Sequence, residues 1–115
     1  MQQDQLLTDA VPELANRLIS ALRAIGRPEI AEQLTVVHLR HSTYDQDVDA
    51  GYLYVTESRP LNVVEQNVIG VKHGECVTLD QLPGTVVIDV DNFGRVKGIE
   101  LLGYAEVFRR IGRTT

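Results

Sequence analysis

Asp89-Val90-Asp91-Asn92-Phe93-Gly94-Arg95-Val96-Lys97-Gly98-Ile99-Glu100 fits two templates that exclude each other. As a calcium loop of the helix–loop–helix kind, it sets Asp89, Asp91, Gly94 and Glu100 at the first, third, sixth and twelfth positions. Phe93, at the fifth, offers no side-chain oxygen. The flanks, Thr85 to Val90 and Val96 to Leu102, are β-branched and alternating, so they read as strands and not as the two helices such a loop needs. A β-hairpin uses every residue: Asn92-Phe93-Gly94 forms a three-residue loop, with Gly94 in the left-handed position that a Cβ would resist. Pairing Asp91 with Arg95 predicts Val90 opposite Val96, Asp89 opposite Lys97, Val87 opposite Ile99 and Val86 opposite Glu100. In that register Asp89 and Glu100 point to opposite sides of the sheet and cannot share an ion.

Upstream of the hairpin the pattern is helical first. Val11, Leu14, Leu18, Leu22 and Ile25 recur every three or four residues while Glu13, Arg17 and Arg23 fall between them, which predicts an amphipathic helix over residues 9–25. Asp9 can cap it, Pro12 sits in its first turn, and Gly26 stops it. Pro28 opens a second helix, Pro28 to Leu34, with Ile30 and Leu34 on one face. These form a helical hairpin, residues 9–34, whose apolar stripe needs a sheet to cover it.

From Thr35 the periodicity switches to two. Strands are predicted at Thr35 to Arg40, Gly51 to Glu57, Asn62 to Val71 and Cys76 to Leu79, followed by the terminal hairpin. Asp-, Pro- and Gly-bearing turns separate them, at Asp45 to Ala50, Ser58 to Pro60, His73-Gly74 and Leu82 to Gly84. Without crossover helices between strands the pairing should be mostly antiparallel. Tyr104, Val107, Phe108 and Ile111 have helical spacing, which predicts a short C-terminal helix over 104–111 that packs on the sheet or on a partner. The expected architecture is α+β: a flexible start (residues 1–8), then one domain (9–115) with a helical hairpin, a sheet of about five strands (35–102) and the terminal helix.

Size and composition bound the rest. One domain of 115 residues with 43% apolar residues can bury a core without a metal or a disulfide. The single Cys76 cannot bridge internally, and there is neither a charged-then-apolar leader nor a run of about 18 apolar residues, so a soluble cytoplasmic protein is expected. Eleven basic and sixteen acidic residues give a net charge of −5, which argues against a nucleic-acid or membrane-surface binder. Arg109, Arg110 and Arg113, close to Glu106, read as a solvated helix end.

Three side-chain groups could carry chemistry. Asp45, Asp47 and Asp49 with Asp89 and Asp91 could form an acidic pocket for a divalent ion or for acid–base work, with His41 nearby, if the turn after Tyr44 lay beside the hairpin tip. Turns favour aspartate in any case, because its side chain bonds the backbone two residues on. His38, His41, His73 and Cys76 have the H-x-x-H and H-x-x-C spacing of a zinc site, but on a continuous strand His38 and His41 face opposite ways unless Arg40 forms a bulge. His73 is the only base that the sequence sets near Cys76, and Cys76 is expected to act as a small buried apolar residue. Tyr52 and Tyr54 share a strand face without interleaved basic residues, which suits a core or an interface better than base stacking.

Two stretches, Tyr44-Asp45-Gln46-Asp47-Val48-Asp49-Ala50-Gly51-Tyr52-Leu53-Tyr54-Val55 and Asp89 to Leu102, together resemble the bacterial family called Domain of Unknown Function 2283. Its pattern joins a Y-D-x-x-x-D-A strand opening to a D-x-D-x-x-G-x-V-x-G-I-E hairpin, and the similarity runs from about Thr43 to Phe108. The resemblance implies a small β-rich bacterial domain without an established activity, some members of which are encoded beside small toxin-like proteins. Gly51 stands where a larger residue is usual, and the helical hairpin lies outside the similarity.

The expected function is therefore a non-enzymatic, homodimeric protein-interaction domain without a cofactor, antitoxin-like toward a neighbouring gene product in one variant. Tyr52, Tyr54, Tyr104, Val107, Phe108 and Ile111 are its interface residues. The alternative is a metal-binding or acid–base enzyme built on Asp45, Asp49, Asp89 and Asp91.

Overall fold

In the computed structural model, which describes residues 5–55 and 74–114, six antiparallel strands form one sheet and four helices accompany them among the described residues. In chain order the elements are β1 (Gln5–Leu6), α1 (Leu7–Ala10), α2 (Pro12–Ala24), α3 (Pro28–Leu34), β2 (His38–Asp45), β3 (Ala50–Val55), β4 (Glu75–Thr78), β5 (Thr85–Val90), β6 (Val96–Leu102) and α4 (Ala105–Thr114). The strands lie in the order β1-β2-β3-β6-β5-β4, which makes β1 and β4 the edges among the described residues. The strand expected at Asn62 to Val71 lies outside the described residues.

Helix formation follows the sequence with one interruption. Pro12 opens α2, and the residue before a proline is pushed out of the helical region, so Val11 adopts φ −139° and ψ 67° and divides the expected helix in two. Asp9 consequently makes no capping bond at the start of α2. Gly26, at φ +80°, turns the chain into α3 as its position predicted. Val11, Leu14, Leu18 and Leu22 are buried as the stripe requires, whereas Ile25, past the end of α2, is exposed.

Of the start expected to be flexible, residues 1–8, the described residues 5–8 lie in regular structure. Gln5 and Leu6 pair with Leu39 and His38, and Leu7 is fully buried. Two adjacent leucines, Leu6 and Leu7, after a polar stretch carry no alternation and were too weak a signal to mark this edge strand. β2 begins at His38 and not at Thr35, because Thr35, Val36 and Val37 donate their N–H groups to the last turns of α3.

One core joins the layers. Leu18, Leu22, Ile30 and Leu34 from the helices meet Leu53, Val86, Ile88, Val96, Ile99 and Leu101 from the strands, all buried. The strand residues alternate, so the opposite sheet face carries Tyr52, Tyr54, Asp89, Lys97 and Glu100.

The hairpin forms between β5 and β6. Asp91 N–H donates to the Arg95 carbonyl at 2.8 Å, Gly94 N–H to the Asp91 carbonyl at 3.0 Å, and Gly94 sits at φ +80°. Val90 pairs with Val96 as predicted, but a bulge at Lys97 then shifts the register, so Asp89 pairs with Gly98 and Val87 with Glu100. The predicted Asp89–Lys97 pairing does not form, and Asp89 and Glu100 share a face after all. Hydrophobic alternation sets this: without the bulge, Ile99 and Leu101 would turn out of the core.

Candidate functional site

The sheet face turned away from the helices carries a connected row of side chains. His41 on β2 pairs with Tyr54 on β3, with ring centroids 5.5 Å apart; Tyr54 lies 4.6 Å from Tyr52 at a tilt of 53°. Tyr52 lies across β6 over Gly98, where a Cβ would come within 2.1 Å of its ring. Its hydroxyl donates to Asp89 Oδ2 on β5 at 2.6 Å. The other oxygen of Asp89 accepts the Cys76 thiol of β4 at 3.2 Å, and Cys76 pairs directly with Asp89 across the strands. The row thus spans β2 to β4.

Electrostatics keep both donors protonated. Burial first, and then the bond to Asp89, push the Tyr52 hydroxyl well above the ordinary phenol range. The hydrogen bond to Asp89, together with its charge, raises the Cys76 thiol. A thiol held protonated by a carboxylate is a poor nucleophile. Cys76 is also exposed and not buried as expected, because among the described residues β4 is an edge strand and no helix lies on the face that carries Cys76.

The aspartates fall into two separate groups. Asp45 and Asp49 flank the β2–β3 turn, level with Leu102 and Thr85, while Asp89 and Asp91 lie at the far end of β5, roughly 14 and 20 Å further along the strand at 3.4 Å per residue. The shared acidic pocket therefore does not form. Asp45 Oδ1 accepts the Asp47 N–H at 3.0 Å, the two-residue turn bond that the sequence suggested. Asp49 holds φ +51° and accepts the Tyr44 hydroxyl at 2.7 Å. Asp91 Oδ1 takes the N–H groups of Phe93 and Arg95, and Oδ2 pairs with the Arg95 guanidinium at 2.7 Å. Burial alone would raise the Asp91 pKa, but these bonds outweigh it and hold the carboxyl below its usual range.

The zinc ligands do not converge either. The bulge at Arg40 that could reconcile His38 with His41 is present in the β2–β3 pairing. His41 and Cys76, however, stand on strands separated by β3, β6 and β5, about 19 Å at the usual strand spacing. His73 lies outside the described residues. Among the described residues, no three His, Cys, Asp or Glu side chains are grouped to hold a metal ion.

The remaining interface residues pack within the chain. Phe108 of α4 is buried, stacks on Tyr44 at 4.7 Å, and fills the space beside Gly51, where a Cβ would come within 2.4 Å of its ring. That accounts for the small residue where the family pattern has a larger one. Tyr104, Val107 and Ile111 pack against the core, and the Tyr104 hydroxyl donates to the Pro83 carbonyl. At the helix end Arg109 pairs with Glu106 at 2.8 Å, both exposed. Tyr54, at 44% exposure, is the interface residue left open.

Two contributors were not read from the sequence. Gly98 makes room for Tyr52, and a glycine inside an alternating strand was its available signal. Gln33 of α3 donates to the Gly94 carbonyl at 2.6 Å and accepts the Val96 N–H at 2.9 Å, pinning the helices to the hairpin. No local pattern marks a glutamine for such a long-range bond.

Fold and site together define a small α+β sheet domain with one helix-covered face and one polar-aromatic face. Residues 41–104, more than half of the chain, match the family model described as a protein of unknown function (DUF2283), and the chain belongs to that family. No curated protein and no solved structure matches it. None of the helices among the described residues is long and apolar enough to cross a membrane.

Proposed function

We propose that this chain is a non-enzymatic interaction domain that pairs with a second copy of itself through the helix-free sheet face. The aromatic row His41–Tyr54–Tyr52, with Tyr54 open to solvent, is the observation that carries this reading. Tyrosine suits such a surface because it presents large apolar area with a polar tip and little side-chain entropy to lose. The groups that an enzyme would need are engaged elsewhere: Asp45, Asp49 and Asp91 hold turns, and Asp89 ties Tyr52 to Cys76. A two-fold pairing of this face would set the row against its own copy, the commonest symmetry among homo-oligomers.

The test is the mass in solution. Multi-angle light scattering from about 1 to 200 µM should show a dimer, at a concentration set by an interface of roughly 1,600 Å² in total. Tyr54→Arg should shift it to monomer while circular dichroism shows the fold retained, since the residue is 44% exposed. A wild-type monomer throughout that range would exclude the reading.

A further inference from the structure

At the end of the sheet that carries the β2–β3 turn, α2 and α4 enclose a second feature, a cleft of about 500 Å³. That is the size of a pocket for a small organic ligand. Its apolar lining comes from Leu14 on α2 and from Tyr104 and Val107 beside and within α4. The hydrogen bond from Tyr104 to the Pro83 carbonyl fixes that wall.

Two guanidiniums border the cleft, Arg17 from α2 and Arg110 from α4. Among the described residues neither makes an ion pair or a hydrogen bond, whereas Arg27, Arg95 and Arg109 are each paired with a carboxylate. Each has an acid four residues earlier on its own helix, Glu13 and Glu106, at the spacing that normally bridges. Glu106 bonds Arg109 instead, and Glu13 leaves Arg17 unbridged. Asp49, the third acid at the rim, accepts the Tyr44 hydroxyl. Arg17 and Tyr104 both line the cleft.

We propose that this cleft binds a carboxylate carried on an apolar chain, with Arg17 and Arg110 gripping the carboxylate from opposite walls and Leu14, Tyr104 and Val107 receiving the apolar part. Guanidinium forks match carboxylates in geometry, and an apolar floor beside them selects against small inorganic anions. A free aliphatic acid and the C-terminus of a peptide share this chemistry. The site is separate from the sheet face that pairs two copies, and α2 lies outside the residues that match the family.

The experiment is an amide-resolved NMR titration of the full chain with sodium octanoate, with N-acetyl-leucyl-leucine and, as a neutral control, with octanamide. Either acid should give saturable shifts at Leu14, Gly103, Tyr104 and Val107, and the tighter of the two identifies the source. Arg17→Gln and Arg110→Gln should each weaken binding roughly five- to tenfold, as expected for one charge-assisted contact. Glu13→Gln should strengthen it roughly twofold by removing the competing charge. These exposed side chains can be exchanged without unfolding the protein, which a thermal melt checks. The proposal is overturned if neither acid gives saturable shifts, if octanamide binds as well as octanoate, or if both arginine variants bind unchanged.

Discussion

Gly98 has no space for a Cβ, because the Tyr52 ring lies over it on the way to Asp89. Gly98→Ala should therefore cost about 1–3 kcal/mol, the range for overpacking, read as a lower urea midpoint. The same change in a Tyr52→Ala background should cost far less, since the clash is gone; equal costs in both backgrounds would show that Tyr52 is not the cause. Asp89 also controls the thiol. Asp89→Asn removes the negative charge that raises the Cys76 pKa, so more thiolate is present at a given pH and alkylation by iodoacetamide at pH 8 should accelerate. Asp91 acts on stability in the other direction. Its folded pKa is depressed, so the stabilisation it supplies is present above the unfolded value of about 3.9 and fades as pH falls through the folded value. Asp91→Asn should cost about 1.5–3 kcal/mol at pH 7, because it replaces the charge-assisted bonds to the buried Arg95 guanidinium and to the loop N–H groups by neutral ones. It should also flatten the acid limb of a stability–pH curve below pH 4. An unchanged acid limb would assign that pH dependence to other carboxylates.

Between elements, Gln33 acts as one more strand partner for the hairpin. Its amide serves the Gly94 carbonyl in the loop and the Val96 N–H at the start of β6. Gln33→Ala should cost about 1–3 kcal/mol by removing two hydrogen bonds to the hairpin backbone, and hydrogen exchange at Val96 should accelerate before exchange at Ile88 in the sheet centre. The hairpin itself was legible in sequence because its determinants are local: a glycine at the left-handed position, an aspartate that bonds the loop N–H groups, and β-branched flanks. The bulge at Lys97 was not. It answers to the need to bury Val96, Ile99 and Leu101 together, a demand that comes from the helices packed beneath.

Over the whole molecule, the first residues close the sheet. β1 pairs with the first two residues of β2, His38 and Leu39, and Leu7 fills the core. Removal of residues 1–8 should destabilise the fold by about 2–5 kcal/mol, the cost of losing one buried leucine, and expose β2 as an edge open to aggregation. A truncated chain with an unchanged melting temperature would restore the view of a free tail. The two sheet faces also separate roles: one carries the helices and the proposed carboxylate cleft at its end, the other the tyrosine row. A dimer formed through the tyrosine row leaves that cleft open, so octanoate binding should be the same above and below the dimerisation concentration.

The α+β class, the helix opened by Pro28, the terminal hairpin and the family were legible along the chain, because each rests on periodicity, turn chemistry or short motifs within a few residues. Tertiary structure alone decided which side chains meet. Asp45 and Asp49 part from Asp89 and Asp91, and His41 from Cys76, because strand order places them at opposite ends or edges of one sheet. Tyr52 reaches Asp89 only because a strand without a side chain at Gly98 runs between them, and no spacing along the chain encodes which strand that is.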